Sequence, residues 1–168
     1  MYTHTKLCGK ILPICLFCTR FKLDIMERIK LNLPESFSFS TTIPIRISDV
    51  NYGGHVGNDS FLSLLHEARL RFLHQFGYSE MSVEGVGLIM SDVGIEYKRE
   101  LVYGNTVKIS VAATGFDRLG FDLYYLIELL DGDQTVLAGK AKTGMMCFDY
   151  ATKKKATIPA IAIERMTS

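Results

Sequence analysis

Several groups that could act on a carbonyl compound lie together between Asp49 and Asn58, in the sequence DVNYGGHVGN. Asp49 and His55 are ionisable, and a histidine titrates near neutral pH, where it can exchange a proton with water or a substrate. Asn51 carries an amide, which can orient water or a carbonyl group but cannot act as a base. The segment therefore predicts a catalytic or substrate-binding loop.

A helix predicted directly after this loop would point its N-terminus back at it. The run Phe61–Phe76 is strongly amphipathic, as expected of a helix that packs on a core. The free N–H groups and the dipole at a helix start stabilise negative charge, such as a carbonyl oxygen becoming an oxyanion. Gly53 and Gly54 let the backbone approach a ligand closely. We therefore expect backbone N–H groups from Gly54 to Val56 to hold the oxyanion.

Sequence signals mark both ends of this helix. Asn58 or Asp59 can act as the N-cap, and Gly77 follows the last apolar residue as a stop signal. About half of the circumference is apolar, which predicts a helix largely wrapped by other structure. Arg69 falls inside this apolar arc, so its side chain must extend to solvent or find an acidic partner. Glu67 lies on the opposite side.

Alternating apolar and polar residues predict strands on both sides of the helix. Residues 37–47 alternate before it, and Pro44 indicates an edge strand or a bulge, because proline donates no ladder hydrogen bond. Further alternating segments follow the helix, with a hairpin signal at Asp131-Gly132. They cover about residues 89–101, 107–113, 121–129 and 135–148. Consecutive strands with short turns predict an antiparallel meander.

The segment from Asp49 to Arg69 resembles the hotdog-fold acyl-CoA thioesterases, in particular the 4-hydroxybenzoyl-CoA thioesterase-like family. Asp49, Asn51, the glycine pair with His55, and the helical Glu67-Ala68-Arg69 carry this resemblance, which covers roughly residues 37–150. It implies an α+β hotdog fold, in which a curved antiparallel sheet wraps around one long central helix. It also implies that subunits pair, often into tetramers, and that acyl-CoA binds between them.

The resemblance suggests catalytic roles and shows one departure. In the best-known branch of that family, the position of Asn51 carries an aspartate proposed as nucleophile or general base, a role that an amide cannot take. The catalytic candidates are therefore Asn51 and His55 to orient or activate water, with Asp49 or Glu67 as the carboxylate. Glu67 would act if its helix face meets the site of a partner subunit.

A second group of residues is expected to bind the substrate. Its members are Gly53, Gly54, Val56, Asn58 and Arg118. Arg118 and the run Lys153–Lys155 could meet the phosphates of CoA. Since CoA is part of the substrate, the resemblance implies no separate cofactor and no metal.

Each candidate also has a purely structural interpretation. The side chains of Asp49 and Asn51 could close turns of their own loop, His55 could cap the loop, and Glu67 could occupy an exposed helix face. Two other functions stay open on the same fold. A binding module that senses acyl-CoA without cleaving it is favoured by the missing carboxylate at Asn51. A 3-hydroxyacyl dehydratase is less well supported, because those enzymes share a His followed by a Phe-Pro-Gly segment, which this chain lacks.

Composition limits the class of protein. At 168 residues one domain is expected, and 19 basic against 18 acidic side chains do not indicate a nucleic-acid partner. No apolar run approaches the roughly 20 residues of a membrane-spanning helix. We expect a cytoplasmic thioester hydrolase that forms a homodimer or homotetramer.

Residues 1–25 differ from the rest of the chain. They contain three of the four cysteines, and Cys15-x-x-Cys18 has zinc-ligand spacing without a second ligand pair. The short apolar stretch Ile11–Phe17 is interrupted by Pro13 and lacks the cleavage site of a signal peptide. We therefore expect a loose extension there, followed by a single hotdog domain over residues 26–168.

Overall fold

In the computed structural model, which describes residues 26–167, a curved antiparallel sheet wraps around one long helix. The elements are β1 Phe39–Pro44, a 3-10 turn Ile47–Asp49, α1 Asn58–His74, β2 Gly87–Tyr97, β3 Thr106–Thr114, β4 Gly120–Asp131, β5 Gln134–Asp149, β6 Lys154–Lys155 and α2 Ala160–Thr167. The strand order is β1-β3-β4-β5-β2, and β6 pairs with β5. This arrangement confirms the predicted hotdog fold.

The predicted meander is present in β3, β4 and β5, but β2 departs from it, because β2 pairs with β5 instead of its chain neighbour β3. Each pairs antiparallel with the next, and Asp131 faces Gln134 across the turn that joins β4 to β5. Gly132 has a φ of +60° in that turn, a conformation that glycine adopts without steric cost. The hairpin predicted at Asp131-Gly132 is therefore confirmed.

Helix α1 supplies one side of the core. Its buried residues are Phe61, Leu64, Leu65, Ala68, Arg69, Phe72 and Leu73, and they face the apolar side of the sheet, as the wide apolar arc predicts. The N-cap is Gly57, so the prediction of Asn58 or Asp59 as N-cap is wrong. Gly57 has no side chain that could cap the helix, so α1 begins directly after the loop without a side-chain cap. Gly77, with a φ of +76°, lies just beyond the other end as predicted.

The two edges of the sheet differ. β1 is one edge, and Pro44 lies on it as predicted. β2 is the other edge, and it presents 11 residues without a partner strand on one side within the described residues. Met90, Val93 and Tyr97 are exposed along it. An edge strand of this length with exposed apolar side chains is suited to pairing with another chain, and residues 26–32 lie beside its C-terminal half.

Sequence analysis missed two elements after β5. β6 is two residues long, and α2 packs Ala162 and Met166 into the core. Pro159, directly before α2, is a helix-start signal that could have found it. The predictions for residues 1–25 (the extension, the signal peptide and the cysteine pair) lie outside the described residues. No helix within residues 26–167 is long and apolar enough to cross a membrane.

Candidate active site

The loop before α1 is fastened to the segment that connects β2 and β3. The N–H of Ile45 donates to the carbonyl of Asn105 at 2.8 Å, and the N–H of Val56 donates to the carbonyl of Leu101, also at 2.8 Å. His55 forms a β-bridge with Val102. Contacts at both of its ends therefore fix the loop against a distant part of the chain.

Asp49 closes the 3-10 turn that precedes the loop. Its Oδ2 accepts a hydrogen bond from the backbone N–H of Arg46 at 2.7 Å, and its Oδ1 lies 3.5 Å from the Ser48 hydroxyl. The carboxylate thus has a structural role in the turn. A catalytic role would have to compete with these bonds.

Asn51 organises the turn that carries the two glycines. Its Oδ1 accepts from the N–H of Gly53 at 2.8 Å, and its carbonyl accepts from the N–H of Gly54 at 3.0 Å. Its own N–H donates to the carbonyl of His55 at 2.9 Å. Gly54 has a φ of +79°, which only glycine adopts readily. The structure therefore gives Asn51 a turn role, with its amide NH2 still able to donate.

The side chains of Asn51 and His55 both lie close to Gly53. A Cβ atom at Gly53 would lie 2.8 Å from Cε1 and 3.1 Å from Nδ1 of the His55 ring, and 3.1 Å from Oδ1 of Asn51. Any larger residue would push the imidazole away. The structure thus brings two predicted catalytic side chains together over a glycine backbone.

The first turn of α1 supplies the N–H groups that remain for an oxyanion. The donors expected at Gly54 and Val56 are already engaged, with Asn51 and Leu101 respectively. The first bond of α1 runs from the N–H of Phe61 to the carbonyl of Gly57 at 2.8 Å. The N–H groups of Asn58–Ser60 precede it, so they have no partner within the helix.

Asp59 is a carboxylate that sequence reasoning considered only as a helix cap. A Cβ atom at Gly57 would lie 2.6 Å from Oδ1 of Asp59 and 3.9 Å from Cβ of Asn51. Gly57 therefore lets the Asp59 carboxylate lie beside the loop, near Asn51. Its position in the sequence, two residues after Gly57, was the signal that could have identified this carboxylate as a site candidate.

A cavity of about 340 Å³ opens at this point. Its lining residues are His55, Val56, Asn58, Phe61, Tyr97, Lys98, Arg99, Glu100 and Leu101. Burial raises the pKa of the Tyr97 phenol, so this side chain stays protonated at neutral pH. Lys98 pairs with Glu96 at 2.6 Å, and its hydrogen bond lowers the pKa of that carboxyl. The cavity combines an apolar interior with a charged rim.

A larger cavity, of about 620 Å³, lies between the segment Met26–Asn32 and β2. It touches neither the loop nor the start of α1. We place the site in the smaller cavity because the helix start and His55 face it.

Two of the predicted site residues, Glu67 and Arg118, lie away from the loop and the cavity. Glu67 is nine residues beyond Asn58, about 14 Å along the helix axis, and it pairs with Arg71 at 2.8 Å. Arg118 lies in the turn after β3, at the end of that strand opposite the loop, where its carbonyl accepts from the N–H of Ile158. Lys154–Lys155 lie at the same end as Arg118. These residues could reach the loop only from a second subunit.

Within residues 26–167, no group of three or more His, Cys, Asp or Glu side chains is arranged to hold a metal ion. The Cys147 thiol is buried, and burial raises its pKa to about 11. Cys147 belongs to the core and does not line the cavity.

The chain matches a known protein family. The model of the thioesterase-like superfamily matches residues 45–165. A thioesterase-superfamily structure from Jannaschia sp. CCS1 is similar with a TM-score of 0.71 and 18% identity, covering 80% of this chain and 84% of that chain. No curated protein sequence matches the chain.

Two structures of thioesterases with named substrates are also similar. A 1,4-dihydroxy-2-naphthoyl-CoA thioesterase from Synechocystis has a TM-score of 0.64 and 20% identity, covering 77% of this chain and 98% of that chain. A mutant 4-hydroxybenzoyl-CoA thioesterase complexed with 4-hydroxybenzoyl-CoA has a TM-score of 0.69 and 16% identity, covering 76% and 97%. These likenesses establish the common fold. The family model matches well over half of this chain, so the chain belongs to the thioesterase-like superfamily.

Proposed function

We propose that this protein hydrolyses an acyl-CoA thioester to the free acid and CoA. The observation that carries the proposal is that His55 and Asn58, the first residue of α1, line one cavity. A thioester carbonyl placed there would face the unpaired N–H groups of the first helical turn. Those groups and the helix dipole would stabilise the oxyanion that forms when water attacks.

The reaction needs a water molecule that is held and deprotonated. His55 is the base in our proposal, because a neutral imidazole can accept a proton near pH 7. The NH2 group of Asn51 would orient the water or the carbonyl. The water oxygen bonds to the carbonyl carbon, the carbon–sulfur bond breaks, and the CoA thiolate takes up a proton.

A carboxylate beside His55 would stabilise its protonated form. Asp49 is engaged by the Arg46 N–H, and Glu67 is distant within one chain. Asp59, whose carboxylate lies beside Gly57, joins them as a third candidate.

We also propose that the working form is at least a homodimer, with a tetramer as the larger alternative. The cavity is open, and one of its walls comes from Tyr97–Leu101, at the end of the unpaired edge strand β2. A second subunit on that edge would cover the cavity. It would also explain how Arg118 and Lys153–Lys155, which lie far from the loop of their own chain, could meet the phosphates of CoA. The proposal requires no metal or separate cofactor, and we place the protein in the cytoplasm.

A panel of acyl-CoA esters with a thiol reagent tests the proposal, because each hydrolysis releases one free thiol. The wild-type protein should release CoA and acid in equal amounts, and His55→Ala should abolish most of the rate. Phe72→Leu, in the core away from the cavity, is the control for a general loss of packing. No thiol release above the uncatalysed rate with any ester would refute the proposal.

The alternative is an acyl-CoA-binding module without hydrolysis. The hydrogen bond from Gly53 N–H to Oδ1 of Asn51 favours it, because it shows this side chain holding the loop together. Calorimetric binding of an acyl-CoA that stays intact for hours would support the alternative over the enzyme.

A further inference from the structure

An aromatic pair lines one side of the active-site cavity. Phe61 of α1 and Tyr97 of β2 both line it. Their ring centroids are 5.0 Å apart, with an interplanar angle of 74°, an edge-to-face arrangement that aromatic rings favour. Phe61 is 3% exposed. The pair therefore forms one wall of the cavity, with Phe61 packed into the core and Tyr97 half-exposed on the edge strand.

Phe61 has no room to retreat from the cavity. Behind it lies Gly139 of β5, which pairs with Tyr97 in the sheet. A Cβ atom at Gly139 would lie 2.9 Å from Cζ of Phe61 and 3.1 Å from the carbonyl oxygen of Glu96. The ring is thus seated directly on the backbone of β5. Interiors packed this closely resist displacement.

The distance from the helix start to this wall limits the acyl group. Phe61 follows Asn58 by three residues, which is about 4.5 Å along the helix axis. An acyl group that extends from the start of α1 along the helix axis would meet the Phe61 ring within about one helical turn. A long alkyl chain entering in this direction would collide with the ring.

We propose that Phe61, held in place by Gly139 and Tyr97, restricts the substrate to compact acyl groups no larger than a single ring. This inference rests on the proposed function, since it assumes that the thioester carbonyl lies at the start of α1. It assigns Phe61 as the residue that determines acyl length.

Rates with butyryl-CoA, benzoyl-CoA and palmitoyl-CoA test the inference in the wild type and in matched variants. The wild type should have a kcat/KM for the two compact esters at least about a hundredfold above that for palmitoyl-CoA. A single methylene group can already change the selectivity of such a pocket by about tenfold or more. Phe61→Leu should reduce this ratio at least tenfold, and Phe61→Ala should reduce it further.

Two controls separate acyl selection from a general loss of packing. Phe72→Leu truncates a buried phenylalanine of the same helix, which contacts Phe39 and Phe76 instead of the cavity. It should leave the ratio unchanged. Gly139→Ala should push the Phe61 ring into the cavity, so kcat/KM for benzoyl-CoA should fall more than that for butyryl-CoA. Circular dichroism confirms that each variant is folded.

Binding of the same esters, measured by calorimetry, distinguishes failure of this inference from failure of the proposed function. If no ester is hydrolysed but the compact esters bind more tightly and Phe61→Leu removes the preference, the inference stands and the proposed hydrolysis is refuted. If the wild type hydrolyses or binds palmitoyl-CoA as well as benzoyl-CoA, the inference is refuted. It is also refuted if Phe61→Leu and Phe72→Leu change the ratio equally, or if none of the esters binds.

Discussion

Replacing Glu80 with alanine should leave a positive charge unpaired in the core. Arg69 is 5% exposed, and its Nε donates to Oε1 of Glu80 at 2.6 Å. Its Nη1 is buried without a hydrogen-bond partner among the described residues. The Glu80 carboxylate is therefore the anionic partner of Arg69, which also interacts with the Tyr125 hydroxyl. The sequence-based expectation that Arg69 needs an acidic partner or a path to solvent is met by this pair.

The expected cost follows from the burial of the two side chains. Removing one partner of a buried ion pair costs about 3–5 kcal/mol. The Glu80 side chain is 24% exposed, so water can enter the space it leaves, and we expect the lower end, about 3 kcal/mol. For a chain of this size that corresponds to a fall in Tm of about 6–12 °C.

Urea denaturation of four proteins measures this cost. They are the wild type, Glu80→Ala, Arg69→Met and the double variant. The double variant should be more stable than Glu80→Ala, because it removes the buried charge together with its partner. A free energy of unfolding for Glu80→Ala within 1 kcal/mol of the wild type would refute the reasoning. So would a double variant no more stable than Glu80→Ala.

The pH dependence gives an independent check. Burial opposes ionisation of Glu80, but the Arg69 guanidinium and His66 outweigh it and hold its pKa below the usual value. The carboxylate therefore contributes stability above the pKa of an unfolded glutamate, near 4.3. That contribution is lost as the pH falls through the lower pKa of the folded state. The stability gap between wild type and Glu80→Ala should shrink as the pH falls below about 4.

Further predictions concern the loop, the assembly and the extension. Gly54→Ala should cost about 1–2 kcal/mol in urea denaturation, because φ is +79° and the space around a Cβ is open; an unchanged stability would contradict the strained turn. His55→Ala should flatten the pH dependence of kcat/KM near neutrality, and an unaltered profile would exclude His55 as the base. Light scattering at micromolar concentration should show at least a dimer, whereas a fully active monomer would contradict the proposed assembly. A chain beginning at Met26 should fold and keep its turnover; insolubility would argue against a dispensable extension.

Local patterns predicted the elements, and distant contacts decided the details of the site. The hairpin at Gly132 and the end of α1 near Gly77 follow from residues within a few positions. Which N–H groups are free in the loop does not, because the Val56 N–H is bound by Leu101, which lies far along the chain. The partner of Arg69 could not be predicted either, because Glu80 lies beside it only through the tertiary fold of the segment after α1.

The placement of Arg118 and Glu67 shows the same limit. The family resemblance nominates Glu67 and its positive charge nominates Arg118, yet one chain holds both far from His55 and Asn51. Their proposed roles therefore depend on a second subunit, whose position no pattern in one sequence specifies. The position of the His55 ring in the space that a side chain at Gly53 would occupy was equally hidden, although the glycine itself was apparent.

The most direct test of the central claim is a comparison of kcat and substrate Kd between the wild type and Asn51→Ala, with the best acyl-CoA found. Loss of a hydrogen-bonding group that acts in the transition state costs about 2.7–4 kcal/mol. We therefore predict a kcat about a hundred- to a thousandfold lower with Kd nearly unchanged, and Asn51→Asp should retain turnover. Asp49→Asn, Asp59→Asn and Glu67→Gln, measured alongside, identify the carboxylate. If Asn51→Ala, His55→Ala and all three carboxylate variants keep near-normal turnover, the loop is not the catalytic centre and the account is contradicted.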